Sequence, residues 1–164
     1  CNEPVGADWN SNIKPYAETV INTIRQYDDH ALILVGTNTW SQDVDAVVGN
    51  ALNDSNVMYV LHFYAATHKD NIRNKLQTAL NAGLPVFVSE CSICDASGNG
   101  GIDYDSANTW LNYMNSNDIS FIAWSLCNKN ETSALIAPWC NKLSGWSDDE
   151  LSETGRWFKT AIKR

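Results

Sequence analysis

The chain has 164 residues, 44% of them apolar and 18% charged, a balance that suits a folded globular domain and excludes a disordered one. Its 11 basic and 19 acidic residues sum to −8 with no block of like charges, so no basic surface is offered to nucleic acid or to an anionic membrane. No apolar run approaches the roughly 20 residues that cross a bilayer, and the N-terminus lacks a basic segment followed by an apolar one.

Apolar residues at helical spacing run from Ile13 through Tyr16, Ala17, Val20, Ile21 and Ile24 to Tyr27, and Pro15 is tolerated because it falls near the start of that helix. Ala31–Val35 then reads as a strand, short and continuously apolar, as expected when both faces of a parallel strand are covered. Val57–Leu61, Val86–Val88 and Ile119–Trp124 carry the same signature, each after turn-forming residues. Between them, Ile72, Leu76, Ala79 and Leu80 mark one helix, and Ala107, Trp110, Leu111 and Met114 another. Leu151, Phe158 and Ile162 mark a last one. The order is a helix first, then four strands with helices after them.

Every strand ends in a polar or aromatic cluster: Thr37 to Trp40, His62 to His68, Ser89-Glu90, and Ser125 to Glu131. Parallel α/β architectures build their sites at the carboxyl ends of strands, so chemistry is expected there. The rhythm alone leaves an open doubly wound sheet and a closed barrel both possible. Gly98-Asn99-Gly100-Gly101 lies in a long loop after Glu90 and fits neither phosphate-binding fingerprint. Five cysteines are an odd number, so at least one of Cys1, Cys91, Cys94, Cys127 and Cys140 is left over or has its partner outside this sequence. Cys91 and Cys94 have C-x-x-C spacing but no second pair and no suitably spaced histidine, which favours a disulfide or buried thiols over a metal. No cofactor is expected.

Two carboxylates stand out: Glu3 in Cys-Asn-Glu-Pro, and Glu90 at the end of the apolar strand Val86–Val88. A charge at the end of a buried strand is costly unless paired or functional. Asn2-Glu3-Pro4, the stretch Val35 to Asp43 with Thr39-Trp40-Ser41-Gln42, the run Met58 to His68, Val88-Ser89-Glu90 and Trp124-Ser125-Leu126 resemble glycoside hydrolase family 5. The likeness is to its endo-β-1,4-glucanases, and it runs from Asn2 to the C-terminal helix with the motifs in family order.

That resemblance implies an α/β fold, the (β/α)8 TIM barrel, to which this chain supplies strands five to eight and their helices. Residues 1–164 are then the C-terminal half of a single catalytic domain, and the missing N-terminal half is an expected partner, within the same precursor or on another chain. It implies that Glu3 is the general acid/base and Glu90 the nucleophile of a retaining hydrolase, with carboxyls roughly 5 Å apart. Asn2 then holds the sugar 2-hydroxyl, Tyr64 hydrogen-bonds the nucleophile, and His62 is its polar neighbour. Trp124 is the stacking platform at the cleavage point and Trp40 one on the leaving-group side, while Lys129 and Glu131 grip sugar on the non-reducing side. Many relatives carry Trp directly after the nucleophile, where this chain has Cys91. The expected substrate is a β-glucan polysaccharide such as cellulose, cut without a metal, and an insoluble polymer requires a secreted enzyme. A related mannanase or xylanase is the alternative within enzymes, and a non-catalytic carbohydrate-binding protein the alternative outside them.

Overall fold

The computed structural model describes residues 1–163. Its main elements are α1 (Lys14–Arg25), β1 (Ile33–Val35), a one-turn segment α2 (Asn38–Ser41), β2 (Val57–Tyr64), α3 (Asp70–Asn81), β3 (Val86–Ser92), α4 (Tyr104–Ser116), β4 (Phe121–Ala123) and α5 (Glu153–Ala161). The strands form one sheet in the order β1-β2-β3-β4. Strand β1 pairs with β2 in parallel, Ile33 opposite Val57 and Val35 opposite Tyr59. Along β2 the backbone N–H of Tyr59 donates to Pro85 O and that of Ala65 to Ser92 O, so both partners advance together, as parallel pairing requires.

All four expected strands and all four expected helices are present, with shifted ends. Strands β2 and β3 run past their apolar stretches to Tyr64 and Ser92, whereas β1 and β4 shrink to three residues each. The expectation of strands covered on both faces holds for β2, where six of eight residues are buried, but not for the outer strands. Leu34 on β1 and Ile122 on β4 are exposed. An outer strand has a neighbour on one side only, so its side chains lose cover.

Two compact units divide the chain: Cys1–His62 with Asp70–Ser89, and Phe63–Lys69 with the residues from Glu90 onward. In the first, a π-helical turn at Trp9–Ile13 leads into α1, and the Asp8 carboxylate caps it by accepting from the backbone N–H groups of Asn10 and Ser11. Those bonds hold the Asp8 carboxyl below its ordinary range. Trp9 is fully buried, donates its indole N–H to Asn50 O at 2.9 Å, and meets Tyr59 edge to face with ring centroids 5.6 Å apart. Ala17 and Ile21 form the buried stripe of α1, continued from Ile13 at its N-cap, and Ile72, Leu76 and Ala79 form that of α3.

In the second unit Phe63 stacks on Trp110 with centroids 3.9 Å apart, and the Trp110 indole N–H donates to His68 O at 2.8 Å. Asp103 caps α4 by accepting from the Ser106 N–H, and Ser152 caps α5 by accepting from the Gly155 N–H. The long segment between β4 and α5 has its own small core of Ile136, Ala137, Cys140 and Leu151, with Trp146 packed against it.

Candidate active site

Strand ends and the loops after them carry the residues singled out in the sequence, except Asn2 and Glu3, which precede the first described element. Within the first unit the Asn2-Glu3-Pro4 segment lies against the end of β1. A Cβ on Gly36 would come within 2.5 Å of Cys1 O and 2.7 Å of Asn2 O, so only glycine lets that segment approach so closely. Thr39, Trp40 and Ser41 follow with φ of 56°, 54° and 58°. Three consecutive non-glycine residues in the left-handed region cost about 1–2 kcal/mol each relative to a right-handed turn, so the surroundings must enforce the conformation. The Trp40 N–H donates to Pro4 O at 3.2 Å and the Ser41 hydroxyl to Asn2 O at 2.8 Å. As a result the Trp40 ring stands out at 50% exposure.

His62, at 2% exposure, is the buried partner of Glu3: its Nδ1 lies 2.7 Å from Glu3 Oε1, and its Nε2 lies 2.9 Å from Ser89 Oγ. Which atom of each pair donates depends on the ring's tautomer, and the two bonds together fix the imidazole between Glu3 and Ser89. His62, expected as a polar neighbour at this strand end, engages the Glu3 carboxyl. The Glu3 side chain keeps 31% of its surface exposed, enough to meet a ligand.

In the second unit the Tyr64 hydroxyl donates to Glu90 Oε1 at 2.8 Å. Tyr64 is itself positioned through its backbone, whose N–H donates to Nδ1 of His68 at 2.8 Å. That bond requires a lone pair on Nδ1, and burial pushes the pKa of His68 down, which favours the same neutral ring. Cys91, beside Glu90, is buried, with its thiol near Ile122 O, and burial reinforced by the Glu90 charge pushes its pKa far up. All five cysteines are free thiols, so of the two readings of the C-x-x-C pair the structure bears out buried thiols, with Cys91 and Cys94 both inaccessible.

The Trp124 N–H donates to Cys91 O at 2.8 Å, the Trp124–Ser125 peptide is cis, and the indole is 45% exposed. Lys129 and Glu131 pair with each other at 2.6 Å, and Ser133 also donates to Glu131, so both bonds hold the Glu131 carboxyl below its ordinary range. Asn2 is exposed, and only its backbone carbonyl is engaged by Ser41. Sequence reasoning did not single out Ser89 as the histidine's second support, although it lies in the quoted Val88-Ser89-Glu90 motif.

Parallel βα units with a histidine-held glutamate, a tyrosine-held glutamate and exposed tryptophans after their strands mark this as a parallel α/β chain of the barrel type. Residues 1–130 match the family described as Cellulase (glycosyl hydrolase family 5), and the chain belongs to that family. It is 44% identical, over 99% of its length, to an endoglucanase of Clostridium saccharobutylicum and to endoglucanase 5 of Pectobacterium carotovorum subsp. carotovorum. It covers 36% and 32% of those proteins, so it spans about a third of the length of these curated relatives. A structure from Cytophaga hutchinsonii superposes over 99% of this chain and 53% of its own, with TM-score 0.95 at 42% identity. The catalytic domain of a Thermobifida fusca endoglucanase, solved in complex with cellotetraose, superposes over 99% of this chain and 55% of its own, with TM-score 0.92 at 34% identity. The family's fold is the (β/α)8 barrel, of which this chain carries four parallel strands alternating with helices.

Proposed function

We propose that the chain is the C-terminal half of the catalytic barrel of a retaining endo-β-1,4-glucanase, with Glu3 as general acid/base and Glu90 as nucleophile. The carrying observation is the support each glutamate receives from β2: His62 reaches Glu3 and Tyr64 reaches Glu90. Each glutamate is thus oriented by a side chain of its own unit, the kind of support that a proton donor and a nucleophile both need.

In the first displacement an oxygen of Glu90 attacks the anomeric carbon, the glycosidic carbon–oxygen bond breaks, and the proton of Glu3 passes to the departing oxygen. In the second, Glu3 takes a proton from water as that water attacks the same carbon and releases Glu90. The Tyr64 hydrogen bond orients Glu90 for attack, and His62 with Ser89 keeps Glu3 where the leaving oxygen arrives. Trp124 and Trp40 offer exposed indole faces for pyranose rings, Asn2 offers an amide for the 2-hydroxyl, and the Lys129–Glu131 pair offers a polar grip.

The proposed substrate is a β-glucan, a reading favoured by the endoglucanase relatives and by the cellotetraose held by the Thermobifida fusca domain. An insoluble polymer must be met outside the cell, so the enzyme is proposed to be secreted. The exposed apolar residues on β1 and β4 favour a first half of the barrel as the partner that covers them.

The test is made on this chain joined to the first half of its barrel, with cellulose, mannan and xylan as substrates. Release of sugar from cellulose with retained anomeric configuration, and a mass increase of one 2-fluoro-cellobiosyl group at Glu90 with an activated 2-fluoro-cellobioside, are expected. Activity surviving Glu90→Gln would refute the nucleophile assignment. Glycan binding without any turnover would favour a carbohydrate-binding protein.

A further inference from the structure

The Asn2-Glu3-Pro4 segment is held on both sides of Glu3 by one turn, and that turn has a support of its own. Trp40 N–H binds Pro4 O after the glutamate, and Ser41 Oγ binds Asn2 O before it. Both donors belong to the left-handed run Thr39–Ser41, which no glycine relieves. Asp43 braces the start of that run. Its Oδ2 accepts from the Thr39 hydroxyl at 2.5 Å and from Asn38 Nδ2 at 3.1 Å, and its Oδ1 is engaged by the ammonium of Lys75 on α3. Lys75 is the cation that fixes Asp43 to a helix, while the other carboxylate oxygen points at the turn.

We infer that Asp43 and Lys75 form a positioning clamp for the acid/base segment: α3 holds Asp43 through Lys75, Asp43 holds the left-handed turn, and the turn holds the backbone on either side of Glu3. The inference rests on the proposed role of Glu3 as proton donor. Neither clamp residue touches substrate or the reacting atoms. Their effect reaches the chemistry through the placement of one carboxyl, and a displacement of about 1 Å at a reacting group is enough to cost on the order of 100-fold in rate.

The signature of a misplaced acid is a dependence on the leaving group, because a phenolate that departs unaided needs no proton whereas a basic one does. The experiment measures kcat/KM on a series of aryl β-cellobiosides of rising phenol basicity, for the complete barrel and for Asp43→Ala, Lys75→Met, Lys75→Arg and Glu3→Gln. Asp43→Ala and Lys75→Met are expected to lose about tenfold to 100-fold on the most basic phenol and less than about twofold on dinitrophenyl cellobioside, a steepened slope of the same sign as in Glu3→Gln. Lys75→Arg keeps the ion pair and is expected to keep the wild-type slope.

A wild-type slope, or a uniform loss across the series, in both Asp43→Ala and Lys75→Met would overturn the clamp. An unchanged slope in Glu3→Gln would instead remove the acid/base reading on which it rests. If Asp43→Ala does not fold, Lys75→Met and Thr39→Val carry the test, since each removes one contact of Asp43 and leaves its carboxylate in place.

Discussion

Tyr64 Oη lies 2.8 Å from Glu90 Oε1 and donates to it, which ties the end of β2 to a carboxylate on β3. A hydrogen bond to a charged group contributes about 1.5–3 kcal/mol, so it can orient a nucleophile without governing stability. Tyr64→Phe removes the hydroxyl and keeps the ring. In the complete barrel this variant is expected to lose roughly 10-fold to 100-fold in kcat with KM nearly unchanged and the melting temperature lowered by only a few degrees. Steady-state kinetics beside a thermal melt checks this, and an unchanged kcat would show that the bond does not act on the reaction.

The stacked pair beneath that site has the opposite signature. Phe63, the residue before Tyr64, lies 9° from parallel with Trp110, and Trp110 is fully buried. Trp110→Ala opens a cavity and leaves His68 O without its indole donor, so a loss of about 3–5 kcal/mol in stability is expected. Denaturant unfolding of the complete barrel measures it. Activity per folded molecule at low temperature is expected to change far less than stability.

Burial also sets what the cysteines can do. Thiolate is the reactive form, and Cys91 is both enclosed and pushed far above the ordinary thiol range by burial and by the neighbouring Glu90 charge. Burial raises Cys94 as well. At pH 8, iodoacetamide is expected to alkylate the exposed Cys1 in the native protein and to reach Cys91 and Cys94 only after denaturation, as read by peptide mass spectrometry. Labelling of Cys91 in the native state would contradict the buried-thiol description.

Helices were legible because period and caps agree: Ile72, Leu76 and Ala79 of α3 and Trp110, Leu111 and Met114 of α4 are the buried residues the spacing predicts. Strand ends were not. The apolar run stops at Leu61, yet β2 continues to Tyr64, because backbone pairing does not depend on whether the side chain is apolar. Trp9 was invisible as a core residue because it sits among polar neighbours, and its burial depends on Asn50 and Tyr59, more than 40 positions away. The glutamates were legible from motifs. Their supports divide by range: Tyr64 came with its own motif, whereas the use of Ser89 by His62 and of Lys75 by Asp43 exists only after distant segments meet.

His68 links pH to the geometry around Tyr64. Its Nδ1 accepts from the Tyr64 backbone N–H, and burial lowers its pKa below the ordinary value of 6.5. A group that binds its proton less readily in the folded state than in the unfolded one makes stability rise with pH between the two pKa values. The neutral ring therefore contributes fully above about pH 6.5, and the contribution is lost as pH falls below that value, where the unfolded chain takes up the proton first. His68→Asn places an amide oxygen near the position of Nδ1, so it can accept the same bond and has no proton to gain. Melting temperatures of the complete barrel from pH 8 to pH 5 are expected to fall more steeply for the wild type than for His68→Asn. Parallel curves would show that His68 does not titrate against folding. A wild type less steep than the variant would mean that the folded protein binds this proton more readily than the unfolded chain, the reverse of what its burial and its role as acceptor require.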